Sequence, residues 1–170
     1  MMFVAHDVLL DVAFGVARPR LVSLASSRAL VDASRAAYQE GLVSLIRAGP
    51  AASGPAEAEL TTRLARVRFL PPVERAHTTT IGLRWEASGP SVGLFPVLDA
   101  DITLAAASEQ TTTLTLSGVY RSAGEGTAPL GAPFPGHGDT APPTAQDLMA
   151  DVAVRSLLRY AADFLTGSNK

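Results

Sequence analysis

The sequence predicts an α+β fold in which a curved antiparallel sheet of about six strands wraps around one long C-terminal helix. Two patterns predict this fold. Several segments between residues 3 and 121 alternate apolar and polar side chains, as half-buried strands do, and residues 144–166 place apolar side chains at helical spacing. A chain of 170 residues has the length of one domain, and we expect residues 1–170 to form it.

The first strand is predicted over residues 3–14, whose side chains alternate between two faces. Gly15 and Pro19 are typical of the end of a strand, so we expect the strand to stop there. One parity of the segment carries most of its larger side chains, namely His6, Val8, Leu10, Val12 and Phe14.

One or two short helices are predicted next. Apolar residues recur at helical spacing from Leu21 to about Tyr38, and Asp32 is a candidate N-cap for the second helix. Gly41 is expected to break this pattern. Residues 42–46 are short and apolar, which fits a helix or a strand, and the glycines and prolines that follow them favour a strand.

Four longer alternating segments continue the predicted sheet as a meander: residues 59–70, 77–87, 94–105 and 111–121. Trial registers between these segments put mostly apolar side chains on one common face, as a sheet with one buried face requires. These registers pair Leu83 with Leu98, Ile102 with Leu114, and Val67 with Thr79.

The other face of this sheet is predicted to be polar. Its Arg84, Asp99 and Asp101 are most simply an exposed ladder of charges across neighbouring strands. A catalytic or metal-binding role for the two aspartates would need a dry site, whereas the apolar alternation around them points them outward. The other residues predicted on this face are Arg66, Arg68, Thr80, Glu86, Thr103 and Thr115.

The C-terminal part is predicted to be a long connection followed by a helix. Residues 121–143 contain five glycines and five prolines, and connections of this length usually cover a site or move freely. The helix is predicted over residues 144–166, with Thr144 as its N-cap and Gly167 as its stop signal.

Composition excludes several classes of protein. The net charge of −2 argues against a nucleic-acid partner, because such binding needs clustered positive charge. The chain has no cysteine, which excludes disulfides and thiolate chemistry. No apolar run is long enough for a membrane span, and the N-terminus lacks a basic leader, so we expect a cytoplasmic protein.

The motifs of common catalytic and binding sites that occur in this sequence do not lie between the secondary-structure elements that they require. Residues 89–93 match G-x-S-x-G, but a nucleophile elbow needs a helix after it, and here a strand is predicted to follow. Gly124 and Gly126 lie in the Pro-rich connection and not between a strand and a helix, so they form no dinucleotide-binding loop. The histidines are far apart in the chain and give no local metal signature, so no metal and no cofactor are expected.

The inner face of the sheet is the candidate site. It is largely apolar with a few polar side chains, and a gap left between it and the helix would suit a small apolar molecule. Taken singly, each aromatic residue is more often an ordinary core residue, and each histidine near a strand end is more often a surface residue. The residues predicted to line the site are Trp85, Tyr120, His6, His77, Leu83, Leu98, Leu116 and Met149.

Three stretches carry a family resemblance: LRWEASGP at residues 83–90, GLFPVLDADITL at residues 93–104, and LSGVYR at residues 116–121. They resemble poorly characterised actinobacterial proteins of the SRPBCC (START-like) superfamily, which includes polyketide cyclases and pollen-allergen-type lipid binders. The resemblance implies one START-like domain with the helix-grip fold and a deep apolar cavity between sheet and helix. It implies no catalytic residue, and the connection after Arg121 is longer than in relatives.

Three functions are compatible with these features. The first is binding of a small lipophilic molecule, such as a lipid or a polyketide-like compound, in the apolar cavity. The second is a polyketide cyclase or aromatase in which His6, His77 or Tyr120 moves protons on a bound chain. The third is a partner-binding domain whose interior is filled by its own side chains. The sequence leaves open whether the protein is a monomer or a homodimer.

Overall fold

The computed structural model describes residues 2–48, 65–87, 97–121 and 145–168. The predicted turn at residues 89–93, the candidate N-cap Thr144 and nearly all of the 121–143 connection lie outside these residues. In chain order the elements are β1 (Met2–Leu10), α1 (Phe14–Ala25), α2 (Arg28–Ala48), β2 (Ala65–Phe69), β3 (Val73–Glu74), β4 (Thr78–Ala87), β5 (Val97–Ala106), β6 (Thr112–Arg121) and α3 (Ala145–Thr166).

The six strands form one curved antiparallel sheet with α3 packed on its inner face, and the predicted α+β class and helix-grip arrangement are confirmed. The strand order is β1-β6-β5-β4-β2, with the two-residue β3 also paired to β4. The first strand therefore pairs with the last strand, and among the described strands β1 and β2 are the two edges of the path.

The first strand is shorter than predicted, and the first helix starts earlier. β1 ends at Leu10, and Pro19 lies inside α1 instead of marking a turn. The sequence prediction missed this helix start because the apolar spacing begins at Ala17, which is buried together with Leu21 and Leu24. Three buried residues at helical spacing outweigh the unfavourable effect of one proline.

The predicted strand at residues 42–46 is wrong, because α2 runs without a break from Arg28 to Ala48. Asp32 is also not its N-cap: the hydroxyl oxygen of Ser27 accepts a hydrogen bond of 3.3 Å from the Leu30 amide, as an N-cap serine does. Gly41 therefore lies inside α2 and does not break the helix.

Gly41 lets α2 and α3 approach each other closely. A Cβ atom at this position would lie 2.6 Å from the carbonyl oxygen of Met149 and 3.0 Å from the Cβ of Ala153. Only glycine leaves room for a backbone at that distance, so its presence in a helix reflects packing between helices. This crossing brings the middle of α2 against the half of α3 that begins at Met149.

The strand registers differ from the trial registers, but the faces do not. Leu83 lies opposite Ala100, and Ile102 lies opposite Leu116, each two residues away from the predicted pairing. Val67 pairs with Trp85 and not with Thr79, a difference of six residues. Because all three differences are even numbers, every side chain stays on its predicted face.

The core lies between the inner face of the sheet, α2 and α3. Side chains on alternate residues of β4, β5 and β6 are buried, and so are those on one stripe of α3. The largest contributions come from Ile81, Leu83, Trp85, Leu98, Ile102, Leu104, Leu114, Leu116, Met149, Val154, Leu157 and Leu165. None of the helices in the described ranges is long and apolar enough to cross a bilayer.

The outer face carries the predicted ladder of charges. Arg84 lies 3.5 Å from Asp99 and 3.3 Å from Glu86, and Arg66 lies 3.9 Å from Glu86. Asp101 on the same face is exposed and forms no ion pair with the other described residues. These charges face solvent, so this surface offers no dry site for the two aspartates.

The end of α3 follows the predicted stop signal. Gly167 has a φ of 79°, and the amide of Ser168 donates a 2.9 Å hydrogen bond to the carbonyl of Asp163. This is the Schellman arrangement, in which a left-handed glycine ends the helix and satisfies its last carbonyls. The Arg20 guanidinium of α1 also donates to the Leu165 carbonyl at 2.5 Å, which ties α1 to the same end of α3.

Candidate functional site

The largest buried side chain of the sheet is the indole of Trp85 on β4, which is 1% exposed. Tyr38 of α2 packs against it edge to face, with ring centroids 6.1 Å apart and ring planes inclined by 61°. Such T-shaped contacts place the positive edge of one ring on the negative face of the other. The pair holds the indole in one orientation on the inner face of the sheet.

A small cavity lies beside this aromatic pair. Its volume is about 10 Å³, which is room for about one water molecule. The residues around it come from α2, three neighbouring strands and α3: Tyr38, Trp85, Leu98, Tyr120, Met149, Ala150 and Ala153. The deep cavity expected from the sequence is not confirmed, because the space that the described residues show beside this pair is this small one.

The indole N–H of Trp85 is buried and has no hydrogen-bond acceptor among the described residues. Leaving such a donor unpaired in a core costs about 1–3 kcal/mol, so most buried indoles have a partner. The hydroxyls of Ser34 and Thr79 are also buried without a partner in the described structure, but neither residue lines this cavity. Trp85 is therefore the residue lining this cavity whose buried N–H group has no acceptor among the described residues.

Tyr38 remains a neutral phenol over the physiological range. Burial disfavours its charged form and raises the pKa of its hydroxyl from 10.0 to about 12. The described residues around the cavity are all uncharged, which suits an uncharged and largely apolar guest.

A second polar cluster lies on β1 and α3. The Nε2 atom of His6 is 2.5 Å from an Asp151 carboxylate oxygen, and Arg155 donates to the other oxygen at 2.6 Å. Burial of Asp151 raises the pKa of its carboxyl, but the hydrogen bonds from His6 and Arg155 outweigh burial and hold that pKa below its usual value. We refer to His6, Asp151 and Arg155 as the His6 cluster.

The His6 cluster is separate from the cavity. His6 lies opposite Leu116, whereas Tyr120 of the cavity lies opposite Met2. Four residues of strand correspond to about 13 Å. The side chains of His6 and Asp151 are about one-third exposed or less, so the cluster is partly accessible to solvent.

The structure brings together four of the eight predicted site residues. Trp85, Tyr120, Leu98 and Met149 line the cavity, while Leu83 and Leu116 are core residues elsewhere on the inner face. His6 belongs to its own cluster. His77 is exposed and precedes β4, eight residues from Trp85 and so about 26 Å away along the strand.

Sequence reasoning missed Tyr38, Ala150 and Asp151. Tyr38 follows Ser34 and precedes Leu42 at intervals of four residues, which is the signal of a buried helical stripe. That signal was lost because Gly41 was interpreted as a break. Asp151 gave no signal, since nothing in the sequence places it beside a residue 145 positions away.

A larger recess of about 570 Å³ lies on the outer face of the sheet and opens to solvent. Gly82 is among the residues that line it, together with charged and apolar residues that include Arg68, Arg84, Asp101, Leu70 and Phe3. Within the described ranges, no three histidine, aspartate or glutamate residues cluster as metal ligands would.

Comparisons with known proteins give little beyond this geometry. No protein-family model matches the sequence, and no curated protein matches it. Among solved structures, the Zhui aromatase/cyclase from Streptomyces sp. R1128 is similar over 99% of this chain and 98% of its own, with 11% identity and a TM-score of 0.34. A likeness at that level supports no inference about function.

Proposed function

We propose that this protein binds a small, largely apolar molecule that carries one hydrogen-bond acceptor, such as a lipid or a polyketide-like compound. The binding place is the space between β4, β5, β6 and α3 that Trp85 and Tyr38 line. The observation that carries the proposal is the buried indole N–H of Trp85, which has no acceptor among the described residues.

Apolar walls and one donor define the class of molecule. Leu98, Met149 and the two alanines of α3 offer hydrocarbon contacts, and the described residues that line the cavity are all uncharged. A guest that supplies a carbonyl or hydroxyl oxygen to the indole removes the cost of the unpaired donor, which a pure hydrocarbon does not. The site therefore favours a ketone or an alcohol over a hydrocarbon of the same shape.

The guest must displace side chains, because the cavity as it stands holds no more than a water. Met149 is suited to this movement, since its unbranched thioether chain adopts several rotamers at little cost. Ala150 and Ala153, which also line the cavity, have small side chains and leave space next to the backbone of α3. Binding by displacement of Met149 predicts affinity that depends on the size of residue 149.

A matched pair of probes tests the proposal. 2-Acetylnaphthalene carries a carbonyl, and 2-isopropenylnaphthalene has nearly the same size and shape with a CH2 group in place of the acceptor oxygen. Trp85 is the only tryptophan of the chain, so its fluorescence reports on this site alone. We expect the ketone to change this fluorescence saturably and to bind at least tenfold more tightly than the hydrocarbon.

Two variants separate the proposed site from non-specific binding. Trp85→Phe keeps an aromatic ring but removes the N–H, and the preference for the ketone, measured by thermal shift, should disappear. Leu148→Ala removes a half-exposed apolar side chain of α3 outside the cavity and should keep the preference. Equal affinity of the two probes for the unmodified protein, or no binding of either, would contradict the proposal.

A second candidate is a cyclase or aromatase that acts on a longer guest in the same space. The observation that favours it is the His6 cluster, because a histidine oriented by a carboxylate is a common general base. A poly-β-ketone chain bound at Trp85 would have to extend about 13 Å to reach His6. For this activity, His6→Gln should abolish conversion of the poly-β-ketone while leaving the binding of 2-acetylnaphthalene unchanged.

A further inference from the structure

Among the residues that the structure describes, β1 is paired along one edge only. It pairs with β6 on one side only, and the described residues make no backbone hydrogen bond to Met2–Leu10 from the other side. A nine-residue edge strand with free N–H and C=O groups is a template for another strand unless charges or prolines protect it. Asp7 is the one acidic residue of β1, and β1 contains neither lysine nor proline.

The most exposed large apolar side chains of the described structure are both on this strand. Phe3 is 71% exposed and Leu9 is 64% exposed. Both are on the outer face of the sheet, since Phe3 lies opposite Val119 and Leu9 opposite Thr113. Large apolar groups on a free edge indicate a contact surface more strongly than single exposed residues elsewhere do.

The sequence of β1 is complementary to itself when two copies run antiparallel. Phe3 and Leu9 are each three residues from His6, and Val4 and Val8 are each two residues from it. Pairing two copies about His6 therefore sets Phe3 beside Leu9 twice on the outer face. The same register sets Val4 beside Val8 on the inner face, and Asp7 lies opposite Ala5, so like charges are not directly opposite.

We propose that β1 pairs antiparallel with β1 of a second copy of this chain, about a two-fold axis at His6, to form one sheet that continues through both subunits. A two-fold interface of this kind is closed and uses the same patch on both copies. Directly opposite residues in such a pair have Cβ atoms about 5 Å apart. The His6 residues of the two copies thus lie directly opposite each other, and this proposal does not rest on the proposed function.

Light scattering after size exclusion and sedimentation velocity test the proposal with the full chain. We expect twice the chain mass of 17.7 kDa at high concentration, with dissociation on dilution. The double variant Phe3→Lys with Leu9→Lys should weaken the dimer at least tenfold, because lysines protect edge strands. A monomer at every concentration up to the solubility limit would overturn the proposal.

A matched control uses the other edge of the sheet. Leu70 and Val73 are 58% and 57% exposed, and both belong to the β2 and β3 region. Leu70→Lys with Val73→Lys removes similar apolar surface and adds the same charge, and it should leave the dimer intact. If this control dissociates the dimer and the β1 variant does not, the interface is elsewhere and the proposal fails.

Cysteine cross-linking tests the register. The natural chain has no cysteine, so every disulfide formed by a variant comes from the introduced residues. The double variant Phe3→Cys with Leu9→Cys should form a covalent dimer under mild oxidation, because these positions meet across the two copies. A covalent dimer from Phe3→Cys alone, at the same rate, would overturn the pairing about His6.

Discussion

Tyr38 of α2 and Trp85 of β4 meet edge to face across the interior, with ring centroids 6.1 Å apart. This contact joins the second helix to the middle of the sheet at the point where the small cavity forms. The two rings therefore have a structural role beside the role in binding that we propose for them, and variants must distinguish the two roles.

A double-mutant cycle measures the structural role. We expect Tyr38→Leu and Trp85→Leu each to lower the free energy of unfolding, and the coupling between them to be about 0.5–1.5 kcal/mol. Chemical denaturation of the four proteins gives this coupling. Phe164→Leu, on α3 about 22 Å along the helix from Met149, serves as the control partner and should show no coupling to Trp85. A coupling free energy of zero between Tyr38 and Trp85 would show that the ring contact adds nothing to stability beyond the burial of the two side chains.

The buried phenol of Tyr38 predicts a loss of stability at high pH. Its pKa is raised to about 12 in the folded protein from 10.0, so the unfolded chain releases this proton first. Below pH 10 the contribution is complete, and between pH 10 and 12 stability should fall by about 1.4 kcal/mol per pH unit.

Alkaline denaturation followed by circular dichroism measures this slope. The Tyr38→Phe variant has no phenol to titrate at this position, so its stability should fall less steeply over the same pH range. Equal slopes for the two proteins would show that another group controls the alkaline transition.

Two glycine-to-alanine changes should have opposite signs. Gly41→Ala places a Cβ 2.6 Å from the Met149 carbonyl oxygen, so α2 and α3 must separate. Although alanine has a better helix propensity than glycine, we expect the free energy of unfolding to fall by about 1–2 kcal/mol. Gly15→Ala meets nothing within 4 Å in the first turn of α1 and should stabilise by about 0.5–1 kcal/mol. A stabilised Gly41→Ala protein would mean that the helix crossing is looser than the structure shows.

The faces of the strands could be predicted from the sequence, and the registers could not. Alternation fixes which side of a sheet a residue occupies, since neighbouring residues point to opposite faces. It does not distinguish a pairing of Leu83 with Leu98 from one with Ala100, because a shift of two keeps both on the inner face. Register depends on turn geometry and on side-chain fit, and neither shows in a periodic pattern.

Helices were harder to predict, for a reason visible at Gly41. Glycine ends helices when it takes a left-handed conformation, as Gly167 does, but it also lies within helices where another backbone comes close. The two uses look alike in a single sequence. The pairing of His6 with Asp151 is a related case, because a contact between the first strand and the last helix depends on how the fold closes.

The last prediction concerns Asp151 at acid pH. The carboxyl accepts hydrogen bonds from His6 and Arg155, and its pKa in the folded protein is below 3.8 although burial acts in the opposite direction. A lowered pKa stabilises the folded state at pH values above the ordinary one, and this contribution is lost as the pH falls through the folded value. Asp151→Asn should therefore be less stable than the natural protein at neutral pH, and the difference should shrink below about pH 4.

Urea denaturation at a series of pH values measures this difference. Asp101→Asn is the charge-matched control, since Asp101 is exposed and forms no ion pair with the other described residues. Its difference from the natural protein should be small at every pH, because exposed carboxylates contribute little to stability. If Asp151→Asn also gives a small difference that does not change with pH, the His6 cluster is a surface contact without energetic weight. A large difference that shrinks in acid instead shows that the hydrogen bonds from His6 and Arg155 hold β1 and α3 together.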